Sequence, residues 1–312
     1  MYGIKSFEYV LAIAETGSIS EVADSFGIAQ SALSRYIIKL EKEIGIELFD
    51  RTTLPIFLTE AGRYYIETGQ KILDLNRQLE KRIEDLKTHK NMEIRIGIGP
   101  SRAPALLPII LKEFSSLNPN VRILTDECRT AELAERLTTG KLDLIITFMD
   151  NSTDGFGLEE LFEEKVELAV SNTYIPKVKE NLDDNGTVDI SNLSIPFVSL
   201  HEGQQLRNAL EILTKGTVKP LYTCDYQESA MALVKHGFGA TLVPSYWRLI
   251  DNSPDISYFP ITIPTDLSLT EKNRLMAVIN RRIGIFYRKE QFLSDAEKAY
   301  ISAAKKVCAE IH

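Results

Sequence analysis

The 312-residue sequence contains little cysteine and histidine, and this scarcity excludes several kinds of site. The cysteines form no CxxC pair and lie far apart, at Cys128, Cys224 and Cys308. An odd, sparse set argues against a disulfide framework and against zinc, and small buried side chains are the simpler interpretation. A redox-sensing pair is the alternative. The four histidines are equally scattered, at His89, His201, His236 and His312.

Long apolar runs and common catalytic motifs are also missing. No stretch reaches the ~18 consecutive apolar residues that a membrane span needs. The opening residues, MYGIKSFEYV, lack the long apolar segment and cleavage site of a signal peptide. GxSxG, HExxH and P-loop motifs do not occur. We therefore expect a cytoplasmic protein with no membrane partner, which is not an enzyme and needs no cofactor or metal ion.

The charge balance limits how the chain can bind nucleic acid. The net charge is −8, with 44% apolar and 26% charged residues, as in ordinary globular proteins. A nonspecific nucleic-acid coat would be basic overall. Even within residues 1–90, acidic residues slightly outnumber basic ones. Any binding to DNA therefore depends on the local placement of cations and on helix ends.

The stretch AQSALSRYIIKLEKEIG, residues 29–45, predicts a helix with two unlike faces. One face is an apolar stripe of Leu33, Ile37, Leu40 and Ile44. The other face follows the same spacing at Ser31, Arg35, Ile38 and Lys42, with Ser34 and Lys39 beside it. From residue 30 to residue 39 there are cations, amides and hydroxyls but no acid. This composition favours a face that meets a polyanion.

The preceding segments predict a helix-turn-helix. A short helix ends at Gly17, Ser18 and Glu21 fit a capping box for a second helix, and a turn at Gly27 leads into the two-faced helix. In this motif the second helix enters the DNA major groove with its N-terminal residues first. Residues 46–62, IELFDRTTLPIFLTEAG, then predict a small hairpin, or wing, followed by Thr59 as the cap of the next helix. The DNA-binding candidates are Gln30, Ser31, Ser34, Arg35, Lys39 and Arg51, the last as a phosphate contact.

Residues 60–89 contain no proline and predict one long helix. Tyr65, Ile72, Leu79 and Leu86 recur every seven residues, and Gly69, Asn76 and Ile83 follow the first three after four residues. A heptad seam favours dimerisation, although packing on the chain's own C-terminal domain is an alternative. The candidate interface residues are Ile72, Asn76, Leu79, Ile83 and Leu86. The polar segment THKNM, residues 88–92, is the expected hinge.

The remaining two-thirds predict two α/β units. Residues 93–148 read as βαβαβ, and the pattern recurs over residues 196–244, which indicates parallel sheets with right-handed crossovers. The segments VELAVS and ISYFPIT would lie near the crossovers between the units. We expect LMAVINRR, residues 275–282, to be a strand, and a last helix to be capped by Ser294 and Glu297. Two such units predict a two-lobed domain with a cleft between the lobes.

Candidate ligand-binding residues follow the predicted strands. GIGPSR, residues 97–102, lacks the third glycine of a dinucleotide loop, but a helix N-terminus there would attract an anion. Open parallel sheets bind ligands at the carboxyl ends of their strands. The candidates are Ser101 as a helix cap, Arg102, Thr130, Ser199 and His201. For Arg102, an ion pair with a neighbouring acid is the alternative. A small anion, most simply a carboxylate, is the expected ligand, although His201 could equally be a solvated loop residue.

Several motifs together resemble LysR-type transcriptional regulators. They are TGSISEVA, AQSALSRYIIKLEKEIGIELFDR and LTEAG in the first 62 residues and LVKHGFGATLVP at residues 233–244. Ser31 departs from the family, which usually has proline there. The resemblance implies an antiparallel dimer of linker helices and an effector-binding domain similar to periplasmic solute-binding proteins. It also implies hydroxyl residues at the ligand site, as at Ser101 and Thr130.

The predicted architecture is an α/β multidomain chain with three parts. These are a winged helix-turn-helix (1–62), a linker and dimerisation helix (63–90) and an effector-binding domain (91–312), with lobe 1 at about 91–165 and 266–312 and lobe 2 at about 166–265. The predicted function is a transcriptional regulator that binds double-stranded DNA and a small-molecule effector as a homodimer or homotetramer. The alternative is a solute-binding or metabolic α/β protein with a helical accessory domain.

Overall fold

A computed structural model describes residues 3–52, 55–87, 92–150, 153–251 and 253–311. The first part is a three-helix unit followed by a two-stranded antiparallel hairpin. Leu33 and Ile37 are fully buried in its core, as the apolar stripe predicts. The elements are α1 (Ile4–Thr16), α2 (Ile19–Ser25), α3 (Gln30–Ile44), β1 (Phe49–Asp50) and β2 (Phe57–Leu58).

Local capping signals position α2 and the helix that follows the hairpin. The Ser18 hydroxyl accepts the Glu21 N–H at 3.3 Å, but the Ser18 N–H donates to the Thr16 hydroxyl at 3.2 Å. Thr16 thus takes the role that the predicted capping box assigned to the Glu21 carboxylate. Thr59 caps the next helix by accepting the Gly62 N–H at 3.0 Å, as predicted.

Helix α4 (Glu60–Lys87) begins against the helix-turn-helix. Tyr65 stacks on Phe7 of α1 with ring centroids 5.0 Å apart, and its hydroxyl donates to Ser6 at 2.8 Å. A Cβ at Gly69 would lie 2.5 Å from the Phe7 ring. Tyr65 and Gly69 therefore pack within the chain and do not belong to the predicted dimer seam. The spacing of apolar residues alone could not distinguish packing within the chain from packing in a dimer.

The C-terminal part is built on one seven-stranded sheet. Its strand order is β10 (Ile256–Pro260), β6 (Phe156–Ser171), β11 (Asn280–Arg288), β5 (Leu144–Phe148), β3 (Glu93–Ile98) and β4 (Arg122–Glu127), with β9 (Ala240–Pro244) also paired to β6. Strands β3, β4 and β5 are parallel, and β11 is antiparallel to both β5 and β6. Strand β6, 16 residues long, belongs to both lobes and joins them. The elements from here to the end of β6 are β3 (Glu93–Ile98), α5 (Ala103–Leu117), β4 (Arg122–Glu127), α6 (Thr130–Thr138), β5 (Leu144–Phe148) and β6 (Phe156–Ser171).

The second lobe adds a parallel β7–β8 pair and the antiparallel strands β9 and β10. Its elements are α7 (Ile175–Lys179), β7 (Val198–Leu200), α8 (Gln205–Leu213), β8 (Tyr222–Cys224), α9 (Gln227–Lys235), β9 (Ala240–Pro244), α10 (Trp247–Ile250) and β10 (Ile256–Pro260). The chain then continues through α11 (Leu269–Ile279), β11 (Asn280–Arg288) and α12 (Asp295–Ile311).

The prediction of a strand at LMAVINRR is wrong for its first half, which is helical. Leu275, Val278 and Ile279 lie in α11 and are buried with α8 in the core of the second lobe. Their spacing of three and four residues is helical, and Ser268 with Glu271 forms a complete capping box that the sequence reading missed. The second crossing between the lobes is therefore at about Asn280, and not near residue 266.

Helix α12 returns to lobe 1 and packs on α5. Ser294 and Glu297 cap it reciprocally: the Ser294 N–H donates to the Glu297 carboxylate at 2.7 Å, and the Glu297 N–H donates to the Ser294 hydroxyl at 3.2 Å. This confirms the predicted capping box. Across the described parts of the chain, no helix combines the length and apolarity needed to cross a membrane.

Candidate functional site

The outer face of α3 carries most of the DNA-binding candidates. Gln30, Ser31, Arg35 and Lys39 are exposed, and Ser34 is half-buried. The Arg35 Nε donates to the Ser31 carbonyl one turn earlier, at 3.1 Å. Leu33 and Ile37 on the opposite face are fully buried. The candidate side chains therefore share an exposed helix face that begins at the helix N-terminus.

Arg51 is not a free phosphate ligand. Its Nη2 donates to Glu41 at 2.6 Å, and only 35% of its side chain is exposed. Glu41 is buried and also accepts the N–H groups of Leu48 and Phe49, at 2.9 and 3.2 Å. A buried carboxylate needs such partners. The first role of Arg51 is therefore to neutralise the acid that joins α3 to the wing.

Two predicted effector residues end neighbouring strands of lobe 1. Ser101 follows β3 and Thr130 begins α6 after β4, and these two strands pair in parallel. The Thr130 hydroxyl lies 3.2 Å from the hydroxyl of Thr147 in β5. Ser101 is not the cap that was predicted, since α5 is capped at Arg102, and its side chain instead lies next to Tyr246 of the second lobe.

Arg102 is buried and paired with an acid, which is the alternative that the sequence left open for this residue. It is 6% exposed, and its Nε and Nη2 donate to the two carboxylate oxygens of Glu164 at 2.9 Å each. The rings of Phe148 and Tyr246 lie 5.5 and 5.7 Å from its guanidinium carbon. Burial raises the pKa of Tyr246 to about 12, so this phenol stays neutral.

Arg281, which was not predicted from the sequence, completes this cluster. It lies 3.7 Å from Glu164, 4.7 Å over the Phe148 ring, and donates to the Oε1 of Gln205 in the first turn of α8. Burial, opposed by Glu164, lowers the pKa of Arg281. Two arginines thus share the buried Glu164 at the joint between the lobes. No local motif marks Arg281, because its partner Glu164 comes from another strand.

The second-lobe candidates are not equivalent. Ser199 is buried within β7, whereas His201 is exposed and lies 3.6 Å from Asp225. His201 also lines a surface pocket with Arg207 and Lys219, in the same lobe. The described contacts of His201 therefore do not join it to the lobe 1 hydroxyls, which agrees with the solvated-loop alternative.

The exposed face of α4 is apolar after its first turns. Ile72, Leu79 and Ile83 are 36%, 55% and 41% exposed, and Leu75, which the heptad reading omitted, is 65% exposed. Asn76 donates to Glu80 at 2.9 Å on the same helix. The side chain of Leu86 lies outside the described residues. The described chain thus leaves a stripe of large apolar side chains uncovered.

The three cysteines are unpaired thiols. Burial raises the pKa of Cys128 and Cys224, and it raises the pKa of Cys308 to about 11. Cys308 is buried, as predicted, while Cys128 and Cys224 are only partly buried. In the portions of the chain that the structure describes, no group of histidine, cysteine and acidic residues could hold a metal ion.

Two curated relatives cover most of this chain. It is 30% identical to the uncharacterized HTH-type transcriptional regulator YcgK of Bacillus subtilis, over 83% of this chain and 84% of the relative. It is 32% identical to the hydrogen peroxide-inducible genes activator of Haemophilus influenzae, over 82% of this chain and 79% of the relative.

Solved structures agree in fold. A full-length variant of OxyR from Pseudomonas aeruginosa matches with a TM-score of 0.69 and 19% identity, over 99% of this chain and 95% of that one. CbnR complexed with its target DNA matches with a TM-score of 0.63 and 18% identity, over 98% of this chain and all of that one.

Two family models match in sequence. The bacterial regulatory helix-turn-helix of the lysR family matches residues 4–63, and the LysR substrate binding domain matches residues 87–309. Together they cover nearly the whole chain. The chain belongs to the LysR family and is a DNA-binding transcription regulator controlled by an effector.

Proposed function

We propose that the effector is a small carboxylate or similar anion held between the two lobes, and that the chain acts in the cytoplasm as a homodimer or homotetramer. The observation that carries the proposal is the cluster at the joint between the lobes. There Arg102 and Arg281 share the buried carboxylate of Glu164, beside the hydroxyls of Ser101 and Tyr246.

The charge at this joint favours an anion. Glu164 exerts the strongest charge effect on Arg281, and Asp150 acts on it more weakly. Helices α5 and α6 begin at the carboxyl ends of β3 and β4, and α8 begins beside Arg281. Helix N-termini and incompletely neutralised arginines both stabilise a bound carboxylate.

For DNA, we propose that the exposed face of α3 reads the major groove. Gln30, Ser31, Ser34 and Arg35 supply donors at its N-terminal half, and Lys39 supplies a cation one turn later. Arg51 adds a phosphate contact. Its ion pair with Glu41 uses Nη2 and leaves other N–H groups of the guanidinium to donate to a phosphate. The wing then positions α3 and adds affinity for DNA through the phosphate contact of Arg51.

For assembly, we propose that α4 pairs with the same helix of a second chain. The exposed stripe of Ile72, Leu75, Leu79 and Ile83 repeats at helical spacing over about three turns. Burying it removes apolar surface from water, which drives association. Asn76 beside the stripe favours one register.

A peroxide response is the natural alternative, since one relative carries that name. Thiol oxidation proceeds through the thiolate. Burial raises the pKa of all three cysteines of this chain, which makes each thiolate scarcer near neutral pH. We therefore favour a bound anion over thiol chemistry.

Mass spectrometry of the purified full-length protein under native conditions tests the effector. We expect a small anion to be retained and its release to change the gel-shift pattern on the chain's own upstream DNA. Retention of only neutral or cationic molecules would contradict the proposed ligand class. Turnover of the retained molecule by the protein would instead favour the enzyme alternative.

A further inference from the structure

A buried ionic contact joins the linker helix to lobe 1. Asp74 of α4 is 8% exposed, and its Oδ1 accepts from Arg288 at the end of β11, at 3.0 Å. The same oxygen accepts from Arg77 at 2.8 Å, and Oδ2 accepts from Gln78 at 2.6 Å. Each carboxylate oxygen of Asp74 thus has a donor, and one of these donors comes from the effector domain.

The lobe 1 side of this contact is the end of α6 and the turn into β5. Arg288 donates to the carbonyls of Leu137 and Leu142, at 2.5 and 3.0 Å. Arg77 donates to the Gly140 carbonyl and lies 3.4 Å from Asp143. A Cβ at Gly140 would lie 2.3 Å from the Asp74 carboxylate, so the Asp74 side chain packs directly on the backbone of this turn.

The same turn also reaches the DNA-binding domain. Lys141, next to Gly140, pairs with Glu15 of α1 at 2.5 Å. This pair is exposed on both sides, so its own contribution to stability is small. It nevertheless shows that residues 139–143 lie against both the linker helix and the helix-turn-helix unit.

Two lobe 1 elements run from this contact to the cleft. Helix α6 begins at Thr130 in the cleft and ends beside the turn at Gly140. Strand β11 has Arg281 in the cleft cluster and Arg288 at the contact with Asp74. A single helix and a single strand transmit displacement better than loops do, since their backbones are held by regular hydrogen bonds.

The contact is incompletely satisfied. The Nε atoms of both Arg77 and Arg288 are buried and have no hydrogen-bond partner among the described residues. Burial also lowers the pKa of Arg288, with Asp74 as its strongest opposing charge. Buried donors without acceptors cost free energy, so a second arrangement of this network need not be much less stable.

We propose that Asp74 and Arg288 are positioning residues that couple the effector cleft to the DNA-binding domain. Their contact sets the angle between α4 and lobe 1, and movement of α6 and β11 at the cleft changes it. This inference rests on the proposed function of the cleft. Coupling between sites is reciprocal, so breaking the contact at the linker end must also change the cleft end.

The test compares Asp74→Asn and Arg288→Gln in the full-length protein with Arg288→Lys, which keeps the cation. Arg282→Gln is the matched control, because Arg282 lies on the same strand and pairs at the surface with Glu160 at 3.0 Å. Two quantities are measured without effector. One is the bend angle of the chain's own upstream DNA in the complex, and the other is amide hydrogen exchange over residues 130–138 and 280–288.

We expect Asp74→Asn and Arg288→Gln to change the DNA bend alike and the double variant to add nothing. We also expect exchange at Thr130 and Arg281 to rise by roughly 5-fold or more. Arg288→Lys should give the same DNA bend angle and the same hydrogen exchange as the parent, because it keeps the cation. If Arg288 only packed against its neighbours, Arg288→Lys would change both quantities as Arg288→Gln does.

An unchanged bend in folded variants, or faster exchange confined to the contact itself, overturns the coupling. Neither result bears on whether an anion occupies the cleft. If both variants fail to fold, Asp74→Glu replaces them, since its longer side chain presses on Gly140 with every charge retained. The same two measurements then decide.

Discussion

Arg102 and Glu164 form a two-point ion pair between the start of α5 and strand β6, with both N–H···O distances at 2.9 Å. Glu164 is fully buried, and Arg281 lies within 3.7 Å of it. One carboxylate therefore holds two guanidinium groups at the joint between the lobes. The stability of this joint depends mainly on the buried negative charge of Glu164.

Glu164→Gln should destabilise the protein strongly, because it removes the main counter-charge of two buried arginines. The expected loss in the free energy of unfolding is roughly 3–5 kcal/mol, measured by chemical denaturation. The matched control is Glu160→Gln on the same strand, whose exposed pair with Arg282 is worth less than about 1 kcal/mol. Equal losses in the two variants would contradict the role of Glu164.

Arg35→Ala should weaken specific DNA binding by about 1–3 kcal/mol, because a cation on the exposed face of α3 would be lost. Folding should hardly change, since the side chain points away from the buried Leu33 and Ile37. A gel-shift titration measures the affinity. Arg248→Ala is the control, as Arg248 pairs with Glu167 in the second lobe. Unaltered operator affinity in Arg35→Ala would remove this face from the DNA interface.

Leu79→Glu should weaken the dimer, because it would bury an unpaired charge where two linker helices meet. Sedimentation measures the assembly, and weaker operator binding should accompany the loss of paired half-sites. Gln70→Glu adds the same charge nine residues earlier, on the opposite side of α4, and should leave the dimer intact. A fully dimeric Leu79→Glu protein would exclude the stripe from the interface.

Ser101→Ala and Thr130→Ala should each weaken binding of the retained anion by about 0.5–1.5 kcal/mol, the usual net value of one hydrogen bond. Isothermal calorimetry measures this, while effector-free DNA affinity should be unchanged. Ser302→Ala on α12 serves as control, because its hydroxyl donates only to its own helix. If both cleft variants bind the anion as the parent does, the ligand lies elsewhere.

Tyr246→Phe should reduce the loss of stability at alkaline pH. Burial raises the pKa of Tyr246 in the folded state to about 12, above its ordinary value of 10.0. The stabilisation that comes from keeping the phenol neutral is complete below pH ~10 and disappears as the pH rises through about 12. Unfolding measured between pH 9 and pH 12 should show a shallower decline in the variant. An identical slope in both proteins would show that Tyr246 does not contribute.

Local signals were readable from the sequence. The two faces of α3, the Thr59 cap and the Ser294–Glu297 box each depend on residues within one or two turns of helix, and the structure shows them as predicted. The run LMAVINRR was misread, because an apolar segment that changes from helix to strand carries no local mark at Asn280. The capping box at Ser268 was the signal that could have corrected it.

The family, the helix-turn-helix, the long helix and the repeated α/β pattern were predictable from the sequence, because periodicity and capping act between near neighbours. The pairing of the buried charges was not, because it depends on how distant segments meet in the folded chain. Arg102 meets Glu164 across 62 residues of chain and Arg288 meets Asp74 across 214, and no spacing rule reaches that far. A buried charge takes whichever partner the fold brings within a few ångströms, because leaving it unpaired costs more than any local preference provides.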